Sequence, residues 1–384
     1  MAHCIGIDAR KAHDFGIGTY VRNLVDFIGR LDGENNYILF TGRDASGSFA
    51  ELPENFRLVE ESAPVYSGRE LFALAWRLWR RRVDLYHATH YVLPAFVPGK
   101  AVVTIHDIIH LLYPQFLPSA LAYLYAQRMI RRSLTRGDAI IAVSSSTKTD
   151  LMEYFDVGGD KIQVVYQGVS DVFRQSLGEE RIAEVAARLE LKRPYLLFVG
   201  NPKPHKNLDN VVRAYARALK LRPFDGDLVC IGNRGQGDFK LEQRAEQLGI
   251  RDRVRLVGHV ADELLPAIYQ GATLFLFPTL YEGFGLPVVE AMASGVPVIT
   301  SNTSALHEIA EGYAHLVDPL DVDAIAGAIA KCMHDPEHRE SLAQLGRRRA
   351  EDFRWKRTAE QTLEIYRRTL RRSRGGERRQ GGDA

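Results

Sequence analysis

The stretch LYEGFGLPVVEAMASGVPV, Leu280 to Val298, stands between two short apolar runs, TLFLFP and PVIT. A buried run, a glycine-rich turn, a helical period and another buried run make up a parallel strand, its exit loop, a crossover helix and the next strand. Pro287 fits the first position of that helix, where its missing N–H costs nothing. Gly295 is expected to stop it. Glu282 then lies on the loop at the carboxyl end of a parallel strand, where open α/β sheets bind ligands, and Glu290 lies in the first turns of the helix.

The same alternation extends in both directions. CIGID, NYILF, VDLYHA, AVVTIHD, DAIIAVS and KIQVVY read as strands in the first half. Between the first two, TYVRNLVDFIGRL puts Tyr20, Leu24, Phe27, Ile28 and Leu31 on one helical stripe that buries against the sheet. After Val172 the strands stop and then resume as YLLFVG, DLVCIG, RVRLVG, TLFLFP, PVIT and AHLVD. The fold class is therefore α/β, with two Rossmann-like, doubly wound parallel-sheet domains. They are expected at 1–175 and 176–354, with the boundary near 170–190. A last helix over 355–372 is expected to return to the first domain. The Gly-rich polar tail at 373–384 has too little to bury and is expected to be disordered.

The chain has 384 residues, enough for two cores, with 46% hydrophobic and 26% charged residues. Fifty Lys and Arg against 48 Asp and Glu leave a net charge of +2, which gives no overall reason to expect nucleic acid as a partner. Cys4, Cys230 and Cys332 are isolated in the sequence, so neither a disulfide framework nor a zinc site is implied, and a reducing cytoplasm fits. MAHCIGIDAR lacks the charged and apolar regions of a signal peptide, and no apolar run reaches eighteen residues. The expectation is a cytoplasmic protein that does not span a membrane.

Two carboxylates around a glycine-rich turn admit three readings. A glycosidase-like acid pair needs its carboxyl groups about 5 Å or about 6.5–9.5 Å apart, which eight residues across a turn and a helix would reach only by accident. Surface acids that suit the helix macrodipole explain one glutamate but not the whole string. In the third reading, the amides of Gly283, Phe284, Gly285 and Leu286 form a positive nest at a helix start, open to a diphosphate. Glu282 and Glu290 then flank a ligand that carries both phosphates and hydroxyls. A nucleotide-sugar is such a ligand.

The string from Glu282 to Glu290 resembles the signature of retaining glycosyltransferases of family 4, which have the two-Rossmann GT-B fold. The resemblance extends to LFVGNPKPHKNLDNVVRAYA, to the run from RVRLVGHVADELLPAIYQ through SNTSALHEI, and to DFRWKRTAEQTLEIY, so it covers essentially the whole chain. It implies that Glu290 binds the ribose hydroxyls of the donor and Glu282 a hydroxyl of the donor sugar, while the amides of Gly283, Phe284, Gly285 and Leu286 hold phosphate and sugar. It also places Gly200, Asn201 and Lys206 at the donor, with the Lys206 cation facing the leaving diphosphate. The family often has an arginine beside this lysine, where this chain has Asn201 and His205. Either Lys203 or His205 substitutes, or Lys206 and backbone act alone.

In the acceptor-side first domain, DFGIGTY lacks the third glycine of a dinucleotide fingerprint. Gly16 and Gly18 are either turn-formers or, as the resemblance implies, a loop that closes over the donor phosphates. His106 and His110 have the interval of a helical metal pair, but a strand and Pro114 flank them, so the pair belongs on a loop. The resemblance places His106 at the cleft floor near the transferred sugar. His87 and His90 read as structural or acceptor-side. Asp321 and Asp323 imitate a metal-binding Asp-x-Asp but directly precede an apolar helical period, so helix capping explains them. Two segments, ELFALAWRLWRRR and LAYLYAQRMIRRSLTR, combine aromatics with arginine. Each is either a core-packing helix with a solvated basic face or a peripheral contact with an anionic membrane surface.

The function expected is a retaining, metal-independent transferase with no cofactor. It moves a hexose from a nucleoside-diphosphate sugar, with mannose from GDP-mannose preferred, to a saccharide or lipid-linked acceptor in polysaccharide or glycolipid assembly. The alternatives are an epimerase or phosphorylase on the same fold, or a sugar-nucleotide binding module without catalysis.

Overall fold

The computed structural model describes residues 2–42, 46–49, 51–61, 68–117, 119–232 and 236–371. The expected tail at 373–384 lies outside them. The first half runs β1 (Cys4–Asp8), α1 (Phe15–Leu31), β2 (Asn36–Thr41), β3 (Phe56–Glu60), α2 (Gly68–Arg80), β4 (Leu85–Ala88), β5 (Lys100–Ile105), α3 (Ile109–Leu112), α4 (Ala120–Arg136), β6 (Ala139–Ala142), α5 (Ser145–Phe155) and β7 (Ile162–Val164). The chain continues through α6 (Glu179–Arg188), β8 (Tyr195–Val199), α7 (Leu208–Leu221), β9 (Asp227–Ile231), α8 (Gln236–Gln247), β10 (Val254–Gly258), α9 (Leu265–Gly271) and β11 (Leu274–Phe277). It closes with α10 (Leu286–Ala293), β12 (Val298–Ser301), α11 (Ser304–Ala310), β13 (His315–Val317), α12 (Val322–His334), α13 (Pro336–Ala350) and α14 (Trp355–Arg371).

These strands form a seven-stranded sheet in the order β3-β2-β1-β4-β5-β6-β7 and a six-stranded sheet in the order β10-β9-β8-β11-β12-β13. Every strand pair is parallel, as β-helix-β crossovers require. Strand order reverses between β1 and β4 in the first sheet and between β8 and β11 in the second. Crevices open at such points, outside the carboxyl ends of the strands. One strand differs from the sequence reading. FRLVE, now β3, is an edge strand with only Phe56 and Val59 buried, so it lacks the continuous apolar run by which its buried neighbours are recognised.

Alternating strand residues feed the two faces of the first sheet. Ile5, Ile7 and Val102 pack on one side, and Ala101, Val103 and Ile105 on the other. The first of these faces is completed by the end of the chain. Trp355, Ala359, Leu363 and Tyr366 recur along α14 at helical spacing and bury against Tyr20, Leu24 and Ile28 of α1. Each large apolar side chain so buried contributes about 1.5–3 kcal/mol. A polar chain fixes the helix further: the Tyr366 hydroxyl lies 2.6 Å from His87 Nδ1, and His87 Nε2 lies 2.8 Å from the Thr104 hydroxyl. Burial and the nearby His106 ring push His87 down to about 3, so it is neutral at ordinary pH. His87 is thus a structural tie.

Replacing Tyr366 with phenylalanine leaves His87 Nδ1 buried without its partner. The expected cost is about 1–3 kcal/mol. It should appear in urea unfolding as a lower midpoint at unchanged slope.

Candidate functional site

The exit loops of β8 and β11 flank the switch point of the second sheet, and each supplies one of the residues singled out in the sequence. Lys206 ends a tight turn after β8, and its Nζ donates to both carboxylate oxygens of Glu282, at 2.8 and 3.0 Å. The ammonium also stands 5.1 Å above the Phe277 ring at the end of β11. The pair is mostly buried, with side chains 18% and 13% exposed, so it is screened far less than a surface ion pair.

Asn207 holds these loops together. Its backbone is left-handed, at φ 59°, and its buried amide donates to Pro278 O at 2.8 Å and Pro319 O at 2.7 Å. One side chain thereby ties the exits of β8, β11 and β13. Asparagine tolerates that conformation better than most residues, and its NH₂ supplies two donors.

Glu290 leans the other way along α10. It accepts a 2.9 Å hydrogen bond from the Tyr269 hydroxyl of α9. Burial pushes its carboxyl up to about 7, outweighing the Tyr269 bond, which favours the charged form; Asp262 adds repulsion. Leu286, which opens α10, packs on the cores of both domains. The Phe284 ring is buried beside Tyr166 and Phe353, with centroids 6.3 and 5.6 Å away. Gly285 caps α10 at φ 111°, where a side chain would be strained.

The first domain meets this surface directly. A Cβ on Gly283 would stand 1.8 Å from the His106 carbonyl oxygen, so glycine is what lets the two backbones touch. The Thr147 hydroxyl bonds Gly283 O at 3.1 Å. The Tyr281 hydroxyl donates to Asp150 at 2.6 Å. Glu308 of α11 accepts the backbone N–H of Ser145 and of Ser146 at 3.0 Å each, together with the Tyr166 hydroxyl, so a carboxylate from one domain caps α5 of the other.

His106 follows β5. Its Nε2 lies 2.9 Å from Thr89 O, and because a carbonyl only accepts, Nε2 carries the proton and Nδ1 remains an acceptor. The Tyr20 ring meets the imidazole edge-on at 4.9 Å. Burial lowers its pKa, so the ring is neutral. Gly16 and Gly18 lie within the first turn of α1 rather than in a loop before it. Gly16 is exposed, and Gly18 packs where a Cβ would come 2.5 Å from Ala12 O. Gly18 therefore has a steric reason of its own, close packing inside the helix start. Gly200 and Asn201 sit at the β8 exit, where the Gly200 carbonyl fits closely against Gly232. His205, one of the substitutes considered for the family's arginine, is pushed down to about 3 by burial and the adjacent Lys206. It faces Phe116 as a neutral ring.

Other readings resolve locally. Asp321 caps α12 by accepting from Ala324 N at 2.9 Å, and Asp323 pairs with Arg217. Among the described residues, two groups bring three ligand-type atoms within 4.8 Å of one another: Asp8, Glu70 and His90; and His315, Cys332 and His338. In the first, Arg10 spans Asp8 and Glu70, with a 2.6 Å contact to each. The second lies at the amino-terminal end of β13, opposite the cleft, so Cys332 is less isolated in space than in sequence. No described helix is long and apolar enough to cross a membrane.

Two doubly wound domains, with a charged pair and a glycine-rich helix start at the second switch point, are the arrangement that the resemblance to the GT-B fold implies. Residues 16–172 match the description "Glycosyltransferase Family 4" and residues 181–349 match "Glycosyl transferases group 1". The chain is 30% identical over 292 residues to an O-antigen chain mannosyltransferase B of Escherichia coli, covering 76% of each chain. It is 32% identical to an MMP alpha-(1->4)-mannosyltransferase of Mycolicibacterium hassiacum, over 61% of this chain and 54% of that one. Among solved structures, a sucrose-phosphate synthase of Thermosynechococcus elongatus matches at a TM-score of 0.79 and 23% identity, over 97% of this chain and all of that one. The chain belongs to glycosyltransferase family 4, and it is a glycosyltransferase.

Gly283→Ala forces the domains apart at His106. The variant should keep its unfolding midpoint within a few degrees yet show an increased radius of gyration by small-angle scattering. For Glu290, a folded pKa of about 7 lies above the ordinary value of 4.5, so its contribution to stability is complete below about 4.5 and disappears as pH rises through about 7. The stability difference between wild type and Glu290→Gln, followed by urea unfolding from pH 5 to 8, should shift in favour of the variant as pH rises.

Proposed function

We propose that the protein is a retaining hexosyltransferase using a nucleoside-diphosphate sugar, with mannose from GDP-mannose preferred. The acceptor is a saccharide or lipid-linked saccharide hydroxyl in polysaccharide or glycolipid assembly. The observation that carries this reading is the Lys206–Glu282 pair at the second switch point, with the α10 helix start beside it and Glu290 one turn further on. A diphosphate against the amides of Gly283 to Leu286 would bring its charge to Lys206. The sugar hydroxyls would meet Glu282 and the ribose hydroxyls Glu290. The mannosyltransferase names of the two relatives support the choice of mannose.

In this mechanism the acceptor oxygen bonds to the anomeric carbon on the face from which the diphosphate departs. The bond from that carbon to the phosphate oxygen breaks with its electron pair, which stays on the phosphate. The acceptor proton passes to the same phosphate oxygen. Lys206 offsets the charge that develops there, and the neutral His106 offers Nδ1 as an acceptor for a sugar hydroxyl. No side chain needs to become a covalent nucleophile, and no metal ion is required.

Thermal shift against a panel of nucleotide-sugars names the donor, because a ligand that binds only the folded state stabilises by RT ln(1 + [L]/Kd). GDP-mannose should give the largest shift. Turnover should survive EDTA, and Lys206→Ala should weaken nucleoside-diphosphate binding by about 1.5–3 kcal/mol in calorimetry. A panel with no shift, or unchanged affinity in the variant, would remove this assignment.

A further inference from the structure

Six of the twelve large hydrophobic side chains most exposed among the described residues share one face of the first domain: Phe72, Trp76 and Trp79 on α2, Phe96 in the β4–β5 connection, and Leu121 and Leu124 on α4. Phe72, Trp76 and Trp79 recur at helical spacing and are 71%, 54% and 63% exposed. The opposite stripe of α2, Leu74 and Leu78, is fully buried. The helix is thus apolar on two faces, and the sheet uses only one. A core-packing helix with a solvated arginine face does not describe it.

The three segments are joined. Ala95 N–H donates to Leu71 O at 2.7 Å, and the Arg132 guanidinium donates to Pro94 O at 3.1 Å and to Ala95 O. Phe96 is thereby held between α2 and α4. The exposed charge on α2 and α4 themselves has one sign. Arg80 ends α2 and Arg81 and Arg82 follow it, all three exposed, and Arg128 and Arg131 continue the stripe begun by Leu121 and Leu124. The α4 helix contains no Asp or Glu, and the one acid of α2, Glu70, is buried against Arg10. Crossover helices run antiparallel to their strands, so Phe72, Leu121 and Leu124, near the helix starts, lie toward the strand carboxyl ends and the cleft.

We propose that this face docks on an anionic bilayer. Its aromatic side chains enter the boundary between headgroups and acyl chains, and its arginines meet lipid phosphates. The cleft rim then borders the bilayer, and an acceptor rooted in lipid reaches the site from it. The last step rests on the transferase reading; the docking does not.

The test is co-sedimentation of the full chain with vesicles of phosphatidylcholine, with and without phosphatidylglycerol. Wild type should bind the anionic vesicles, less so at high salt, and leave the neutral ones. Trp76→Ser/Trp79→Ser and Arg80→Gln/Arg81→Gln/Arg128→Gln should each weaken partition roughly tenfold or more. Leu320→Ser, an exposed apolar position elsewhere, should leave it unchanged. Unaltered melting and GDP affinity without lipid show that the variants are folded; lack of GDP binding by every form, wild type included, would count against the transferase reading and not against docking. Absence of partition on anionic vesicles, equal partition by the variants, or a dimer that Trp76→Ser/Trp79→Ser dissociates without any vesicle binding would overturn the proposal.

Discussion

The architecture turns on one backbone approach. Gly283 of the second domain and the His106 carbonyl of the first occupy space that leaves no room for a methyl group. The surrounding polar contacts depend on that proximity. Thr147 reaches Gly283 O, Tyr281 reaches Asp150, and Glu308 caps α5 only because the two sheets come this close. These contacts are individually modest and act together, since charge-assisted bonds to a helix start and to a tyrosine have short range. A glycine that reads in sequence as phosphate-binding is, in the fold, a spacer between domains.

Most of the fold was legible because parallel strands buried on both faces are short, continuous apolar runs that periodicity detects. β3 escaped for the opposite reason: an edge strand with only Phe56 and Val59 buried carries a weaker signal. The residues of the candidate site were readable one at a time, and their pairings were not. Lys206 and Glu282 stand 76 positions apart, and nothing in either segment states that they bond. Asn207 sits beside Lys206 in the motif, yet its role depends on two prolyl carbonyls that only the fold brings within reach. Tyr269 and Glu308 were equally silent, since a lone tyrosine or a helical glutamate has many ordinary explanations. Gly18 shows that one glycine can carry two reasons: its pattern invites a ligand, and its packing against Ala12 leaves no room for a side chain.

Buried charge is handled differently on the two sides of the cleft. In the first domain Asp8 and Glu70 are neutralised by Arg10, and the Arg10 guanidinium holds the Asp8 carboxyl well below the usual range. In the second domain Glu290 has, among the described residues, the Tyr269 hydroxyl as its hydrogen-bond partner, and its carboxyl rises instead. A site held in permanent balance serves as scaffold. A carboxylate whose described partner is a hydroxyl and not a cation has a raised pKa, and such perturbed groups cluster where binding or chemistry occurs.

The packing of α14 on α1 has a consequence for how the polypeptide is made. Domains ordinarily fold as units, the earlier one first, as they leave the ribosome. Here the apolar face built from β1, α1 and β5 stays uncovered until Trp355, Leu363 and Tyr366 arrive, after the entire second sheet has been synthesised. The nascent first domain must therefore wait with an open greasy flank, in reach of chaperones and of neighbouring chains, and the final helix acts as the clasp that ends its exposure. Truncation ahead of Trp355 would remove the clasp from the first domain while leaving every strand of both sheets in place.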